Sequence, residues 1–258
     1  MQLIRLKSTI VSIAAVAVVI VLWGVASHYR LVTPLLLPSP LAILDTGITL
    51  STEGYVDVPL WQHTLISVAR AMAAFCVATI CGIPLGLYMG MSSLVNALLN
   101  PFIQFLRPVP KLALIPLVIV WFGIGEFSKF LLIFLATFMT VVVSGAAAVK
   151  NVKEGRIRVA LTLGANQYQI FRRVMLPSAL PELFVGVRMA IGIGWTTLIA
   201  AEMIASSSGL GYMVMNASSY LRTDVVIIGI FLLGTIGYAL DVLLVLAQRR
   251  LVPWMGKE

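Results

Sequence analysis

Arg107-Pro108-Val109-Pro110-Lys111 places two cations and two prolines inside an apolar run extending from 101 to 122. Charges at membrane depth are costly and mark solute or ion pathways. The prolines remove backbone donors and break a helix. A broken helix at that depth is tolerated where it is buried in protein or lines a wet cavity. A span that begins later, with Arg107 and Lys111 snorkelling to headgroups, fits the same residues. Its apolar remainder, 112–122, would then be too short to cross alone. Glu202 lies deep in another apolar run, just before Ser206-Ser207-Ser208-Gly209-Leu210-Gly211. Glu202 and Arg188 fit an interhelical ion pair as well as a solute contact. Arg70 and Asp241 lie close to the ends of apolar runs, where snorkelling or structural pairing is expected. Hydrolytic chemistry finds no support: His28 and His63 lie in one connecting segment, no H-E-x-x-H occurs, and no serine has a histidine partner in a span. No phosphate-binding G-x-x-x-x-G-K-[ST] loop occurs either, so no catalytic group and no nucleotide or other cofactor is expected in this chain. Cys76 and Cys81, five apart in one apolar run, point in different directions and suit neither a disulfide nor a metal.

The elements that must hold these residues are membrane helices. Of 258 residues, 60% are hydrophobic and 11% charged, with mean hydropathy +1.03; globular domains carry roughly a quarter charged residues. A spanning helix needs roughly 20 mainly apolar residues, and six segments qualify: 10–26, 68–90, 101–122, 130–149, 183–205 and 225–247. The gaps between them are too short for separate soluble domains, so 1–258 reads as one all-α transmembrane domain in the lipid bilayer. The first segment exceeds a secretory h-region and lacks a small-x-small cleavage site, so it is expected to be retained. With the N-terminus inside, Arg5, Lys7, Lys150, Lys153, Arg156, Arg158, Arg172, Arg173, Arg249, Arg250 and Lys257 are all cytoplasmic, whereas the outer loops hold Arg30, Arg222 and the boundary residue Lys129. That bias sets the orientation, with both termini cytoplasmic. It also accounts for most of the +8 net charge without nucleic-acid binding.

Small residues recur every four positions at Ala78, Gly82, Gly86 and Gly90, and again at Gly186, Ala190 and Gly194. Such rows let helix backbones approach closely, with either another span or a second copy as the partner. Between the fourth and fifth spans, residues 151–182 form a basic, amphipathic hook. Gly164 suits a left-handed helix end. Asn166 is the expected N-cap of a second short helix, with Gln169 completing a capping box. That helix should run to about Met175 and stop before Pro177, presenting Ile170, Phe171 and Val174 as an exposed stripe for a partner. A helix lying on anionic lipid through Arg172 and Arg173 fits the same composition. In the outer loop, Ser39-Pro40 marks the start of a surface helix through Leu50.

The hook sequence RVALTLGANQYQIFRRVMLP resembles the EAA loop of permease subunits in bacterial binding-protein-dependent type I ABC importers. Ala160, Gly164, Val174, Leu176 and Pro177 match that pattern; Arg158 and Val159 depart from it, replacing the usual glutamate and one alanine. LLLPSP, WQHTLISVAR, RPVPKLALIPLVIVWFGIGEFSK, GWTTLIAAEMIASSSGLGYMV and the terminal QRRLVPW resemble the nitrate/sulfonate/taurine group of these permeases. The resemblance implies a six-helix permease in the bacterial inner membrane, taking taurine or a related sulfonate inward. Its implied partners are a second permease copy, two cytoplasmic ATPase subunits that bind ATP and Mg, and a periplasmic or extracellular substrate-binding protein. The hook is then a coupling helix, with Arg158, Ala160, Gly164, Ala165, Asn166, Gln169, Ile170, Val174, Leu176 and Pro177 at the ATPase contact. Arg107, Pro108, Lys111, Trp195, Thr196 and Glu202 become candidates for the pathway, because a sulfonate and an ammonium call for a cation and an acceptor. A secondary transporter independent of an ATPase is the rival reading; no inverted repeat is visible to support it.

Overall fold

The computed structural model describes residues 2–255, excluding the side chains of 2–10, 12 and 13; Lys257 lies outside the described residues. The chain forms helices throughout. In order they are α1 (Gln2–His28), α2 (Pro40–Thr52), α3 (Leu60–Met91), α4 (Ser93–Leu106), α5 (Ile115–Phe122), α6 (Glu126–Lys150), α7 (Glu154–Thr162), α8 (Gln167–Ile170), α9 (Leu176–Ala205), α10 (Leu210–Ser219) and α11 (Thr223–Leu251). A 3₁₀ turn over Lys111–Leu114 leads into α5.

Six crossings were expected. Among the described residues, four helical stretches are long and apolar enough: α3, α6, α9 with its lead-in from Gln167, and α11. The expected third span is the bent pair 93–122, whose halves meet at 87°; counting it as one crossing gives five. The break falls at Arg107–Pro110, where two prolines withhold backbone donors. Ala14–His28 is apolar but shorter.

Helix α6 is the axis of the molecule, and both small-residue rows pack on it. A Cβ added to Gly86 would lie 2.5 Å from the Val142 carbonyl oxygen, and one on Gly90 would lie 2.6 Å from Val149 Cβ. On the other side, Gly186 meets Ser144 and Gly194 meets Thr137. The rows therefore serve contacts within one chain, bringing α3 and α9 against α6. Gly86→Ala should force α3 and α6 apart at backbone level, at a cost of about 1–3 kcal/mol. A lowered unfolding midpoint in detergent would show this. Gly192→Ala on α9 has open space around it and should leave the midpoint unchanged.

Outside this trio, α2 starts as the sequence predicts, with Ser39 accepting from the Ala42 amide and Pro40 in its first turn, and continues to Thr52. The sequence reading did not find α10, which fills the gap between the fifth and sixth segments. Leu210, Met213, Val214 and Ala217 follow helical spacing and are all buried. They pack with α11 residues Val225 and Ile228 in the largest apolar cluster.

Candidate functional site

A buried polar assembly stands at the outer end of the bundle, and a polar hook projects at its cytoplasmic end. At the outer end, His63, Ser67 and Arg70 stand one helical turn apart on one face of α3. The first two are fully buried, and so is Glu202 of α9. Ser67 Oγ lies 2.9 and 2.8 Å from the two Glu202 oxygens, Arg70 Nη1 donates to Oε1 at 2.7 Å, and the Gly211 amide donates to Oε2 at 3.0 Å. Arg70 also forks onto Glu126 at the start of α6, with both bonds at 2.6 Å, and donates to the Ser208 carbonyl at 2.8 Å. Lys129 donates to Glu126 and Ser206. Two carboxylates and two cations thus balance; Glu202, Arg70 and Lys129 are enclosed, while Glu126 reaches solvent.

The same assembly clamps the 206–211 loop. Ser67 Oγ accepts the Leu210 amide at 2.8 Å, and His63 Nδ1 accepts the Gly209 amide at 3.0 Å. With Nδ1 accepting, the ring proton sits on Nε2, which faces the Tyr55 carbonyl at 3.1 Å. Gly209 has φ +112°, and any Cβ there would overlap the Glu202 carboxylate, so no other residue fits.

The structure distributes the expected pathway residues among different tasks. Glu202 pairs with Arg70; neither Arg107 nor Lys111 bonds to it. Lys111 Nζ caps the break in the third span, donating to the carbonyls of Leu106, Arg107 and Val109 at 2.9, 3.1 and 2.8 Å. Arg107 and Pro108 are exposed. Trp195 is buried and donates to the Leu233 carbonyl at 3.1 Å, whereas Thr196 is exposed and bonds back to Ile193. Arg188 and Asp241 pair bidentately at 2.9 and 2.8 Å, joining α9 to α11. Sequence reasoning missed His63, Ser67, Glu126 and Lys129. The polar i, i+4, i+7 stripe of His63, Ser67 and Arg70 was the available signal.

At the cytoplasmic end the hook is built by local chemistry. Helix α7 ends in a Schellman closure, in which the Gly164 amide donates to Leu161 and the Ala165 amide to Ala160, with Gly164 at φ +79°. Asn166 then caps α8 through the reciprocal bonds with Gln169, both 2.9 Å. Arg158, in place of the usual glutamate, pairs with Glu154 one turn earlier at 2.7 Å on the exposed face.

Two expectations about the hook need correcting. The second helix does not stop before Pro177. A π turn over Phe171–Met175, closed by the Leu176 amide on the Phe171 carbonyl, carries α8 into α9 without interruption. The wider turn lets proline, which lacks an amide, enter a continuing helix. That continuity fixes the rotation of α8 and turns the expected stripe inward: Ile170 is 2% exposed and Phe171 and Val174 are half-buried. Ala160 is also buried beneath the corner. The apolar groups presented outward are Val159, Leu161, Leu163 and Tyr168, at 60%, 50%, 81% and 65% exposure. Beside them a groove of about 620 Å³ runs between α7 and the start of α9, with Arg156 and Arg173 on its walls. Trp254 of the C-terminal tail closes it, its indole N–H donating to the Pro177 carbonyl at 3.2 Å.

Over residues 82–256 the chain matches the family described as binding-protein-dependent transport system inner membrane component. The taurine transport system permease protein TauC of Escherichia coli (strain K12) is 45% identical over 252 residues, 97% of this chain and 92% of the relative. The putative aliphatic sulfonates transport permease protein SsuC of the same strain is 40% identical over 236 residues, 92% and 88% of the two chains. Among solved structures, an inward-facing form of the MetNI methionine ABC transporter is similar in fold, with TM-score 0.59 at 20% identity over 72% of this chain and 91% of the other.

Proposed function

The chain belongs to the family of inner membrane components of binding-protein-dependent transport systems, in the nitrate/sulfonate/taurine group of ABC-importer permeases, and from that premise we propose that it carries taurine or a related aliphatic sulfonate into the cytoplasm. As a multi-pass transport subunit of this family it has no catalytic activity of its own. The observation that carries the substrate reading is the 45% identity to TauC across nearly the full length of both chains.

In this reading residues 1–258 are one permease domain of six spans, with the bent pair 93–122 as the third and α1 as the first. Two copies enclose the pathway, two cytoplasmic ATPase subunits bind ATP and Mg, and an external binding protein delivers the solute. The coupling loop 151–182 seats in the ATPase through Val159, Leu163 and Tyr168. Arg158, Ala165, Asn166 and Gln169 shape that surface, while Ala160, Ile170, Val174, Leu176 and Pro177 hold it from beneath. ATP-driven closure of the ATPases moves the hook, and α9 carries that movement to the outer loop that Glu202 clamps.

A sulfonate is a weakly hydrated anion, and a guanidinium is the cation suited to it. Arg107 supplies one, because its side chain has no partner among the described residues and stands at the bend. Lys111 and Pro108 set the bend, Thr196 faces the route, and Trp195 and Glu202 hold the wall from behind.

Radiolabelled taurine uptake into proteoliposomes holding this chain, its ATPase and its binding protein tests the reading. Uptake should require ATP and all three components. ATPase stimulation by a loaded binding protein without taurine uptake would keep the importer and discard taurine. Uptake driven by an ion gradient without the ATPase would favour a secondary transporter instead.

A further inference from the structure

Two cavities adjoin at the outer end of the bundle, where α2 lies between α1 and α11. The deeper one, about 700 Å³, is apolar and lined among others by Ile20, Trp23, Ile43, Gly47, Ile228 and Phe231. The outer one, about 420 Å³, is lined by Ser27, Arg30, Ser39, Arg222 and Asp224 with neighbouring prolines and leucines. Pro38, Ser39 and Ala42 border the outer cavity and Pro40 and Ile43 the deeper, so the first turn of α2 is their common wall.

The order of polarity is the same on both long helices. On α1, which rises outward, Ile20 and Trp23 precede Ser27, and Arg30 follows just past the helix end. On α11, which descends, Asp224 precedes Ile228 and Phe231. Seven residues separate Asp224 from Phe231 on α11, roughly 10 Å of rise; on α1 Ser27 stands one turn beyond Trp23, and Arg30 lies in the turn that closes the helix. A charged compartment therefore sits above an apolar one at the depth of the headgroup boundary, which the Trp23 indole marks. Trp23 is fixed there by its N–H bond to the Pro38 carbonyl, 3.0 Å.

The charge in the outer compartment is not neutralised from within. Asp224 is occupied by Arg222 at 3.0 and 2.9 Å and by Thr46 at 2.9 Å. Arg30 has no side-chain partner among the described residues. It also stands at φ +52°, closing the Schellman end of α1 where glycine would be less strained. An arginine is thus held, against its backbone preference, over the mouth of an apolar groove.

We propose that this pair of cavities binds an anionic phospholipid of the outer leaflet, its phosphate on the Arg30 guanidinium and one acyl chain in the groove between α1, α2 and α11. Guanidinium pairs bidentately with phosphate oxygens. The excess of one cation over the internal Arg222–Asp224 pair selects a net negative headgroup over a zwitterionic one.

The test uses the purified complex reconstituted in vesicles of equal palmitoyl-oleoyl phosphatidylglycerol and phosphatidylethanolamine, re-extracted, with retained lipid measured by mass spectrometry. Wild type should retain phosphatidylglycerol about fivefold over phosphatidylethanolamine, the preference one basic residue near a membrane surface supplies. Arg30→Gln should bring the ratio to one. Gly47→Leu, whose new Cβ finds only Ile228 Cδ1 at 3.9 Å, should fill the groove and lower retention of both lipids. Unchanged unfolding midpoints would show that both variants fold. Equal retention of the two lipids by wild type, or an unchanged ratio in Arg30→Gln, would overturn the headgroup site. Full retention in Gly47→Leu would overturn the acyl groove. Disulfide crosslinking of Ser51→Cys between two copies would overturn the proposal by showing that protein covers this face.

Discussion

Glu202→Ala should remove most of the folded permease from the membrane, at a cost of about 3–5 kcal/mol, the range for breaking a buried charge pair from one side. The carboxylate is wholly enclosed, and its removal strands the Ser67 hydroxyl and the Gly211 amide and takes from Arg70 Nη1 its charged acceptor, leaving it the Ser208 carbonyl. Water cannot reach the gap easily, and Gly209 loses the surface against which its backbone is packed. Glu126 provides the internal comparison. It binds the same arginine with shorter bonds, but its side chain is 65% exposed. Glu126→Gln should therefore cost less than Glu202→Ala, because the amide oxygen can still accept from Arg70 and Lys129 and water reaches the site. Membrane yield and detergent unfolding midpoints of Glu202→Ala, Glu202→Gln and Glu126→Gln measure the contrast. Equal losses at Glu126 and Glu202 would show that burial does not govern the clamp. A double replacement, Arg70→Met with Glu202→Met, should recover part of the loss, because no charge is then left enclosed without its partner.

Gly164→Val should leave the permease folded and reduce ATP-driven uptake about tenfold or more. Nothing lies within 4 Å of a Cβ at this position, so the cost is conformational and not steric. At φ +79° a β-branched residue is strained by about 1–2 kcal/mol. The chain can relieve that by opening the corner and losing the two Schellman bonds. The corner then moves Val159 and Leu163 relative to Tyr168, which stand on opposite sides of it. A strain of this size is worth about tenfold in the population of the correct surface. Gly164→Asn, which tolerates the left-handed region, should keep most of the uptake. Uptake and binding-protein-stimulated ATP hydrolysis, measured at equal membrane levels, separate lost coupling from lost folding. Wild-type transport by Gly164→Val would exclude the corner from coupling.

What was legible in the sequence is what neighbouring residues decide. Gly164, Asn166 and Gln169 act within a few positions, so the turn and the capping box could be read directly. Pro108 and Pro110 mark the break in the third span for the same reason. The small-residue rows announce a close approach, although only the fold identifies α6 as the common partner. What could not be read depends on distant contacts or on helix phase. Ser67 and Glu202 are 135 positions apart, and nothing local to either names the other. Ile170 belongs to a plausible outward stripe until the π turn joins α8 to α9 and rotates it inward. Apolar length alone does not register the 87° bend within the third segment, so among the described residues only four stretches qualify unbroken where six were expected. Helix α10 was missed because its ten residues lie below the length by which a span is recognised.

The π turn has a mechanical consequence as well. Because it joins α8 to α9, residues 167–205 form one helical rod with Tyr168 at its cytoplasmic tip and Glu202 near its far end. Thirty-four residues separate the two, roughly 50 Å of helix. The rod packs with α6 along most of its length, from Ala179 and Leu183 in one cluster with Ala148 and Val149 to Ala201 in another with Leu132, and Gly186 and Gly194 allow no gap between. A beam held along that length cannot bend away from its neighbour, so a push at the cytoplasmic tip would tilt α6 and α9 as one body. Its compliant points, the π turn and Pro181, both lie toward the cytoplasmic tip. The outer part is the stiffer, so the clamp on the 206–211 loop would receive motion at that tip as rotation of the pair.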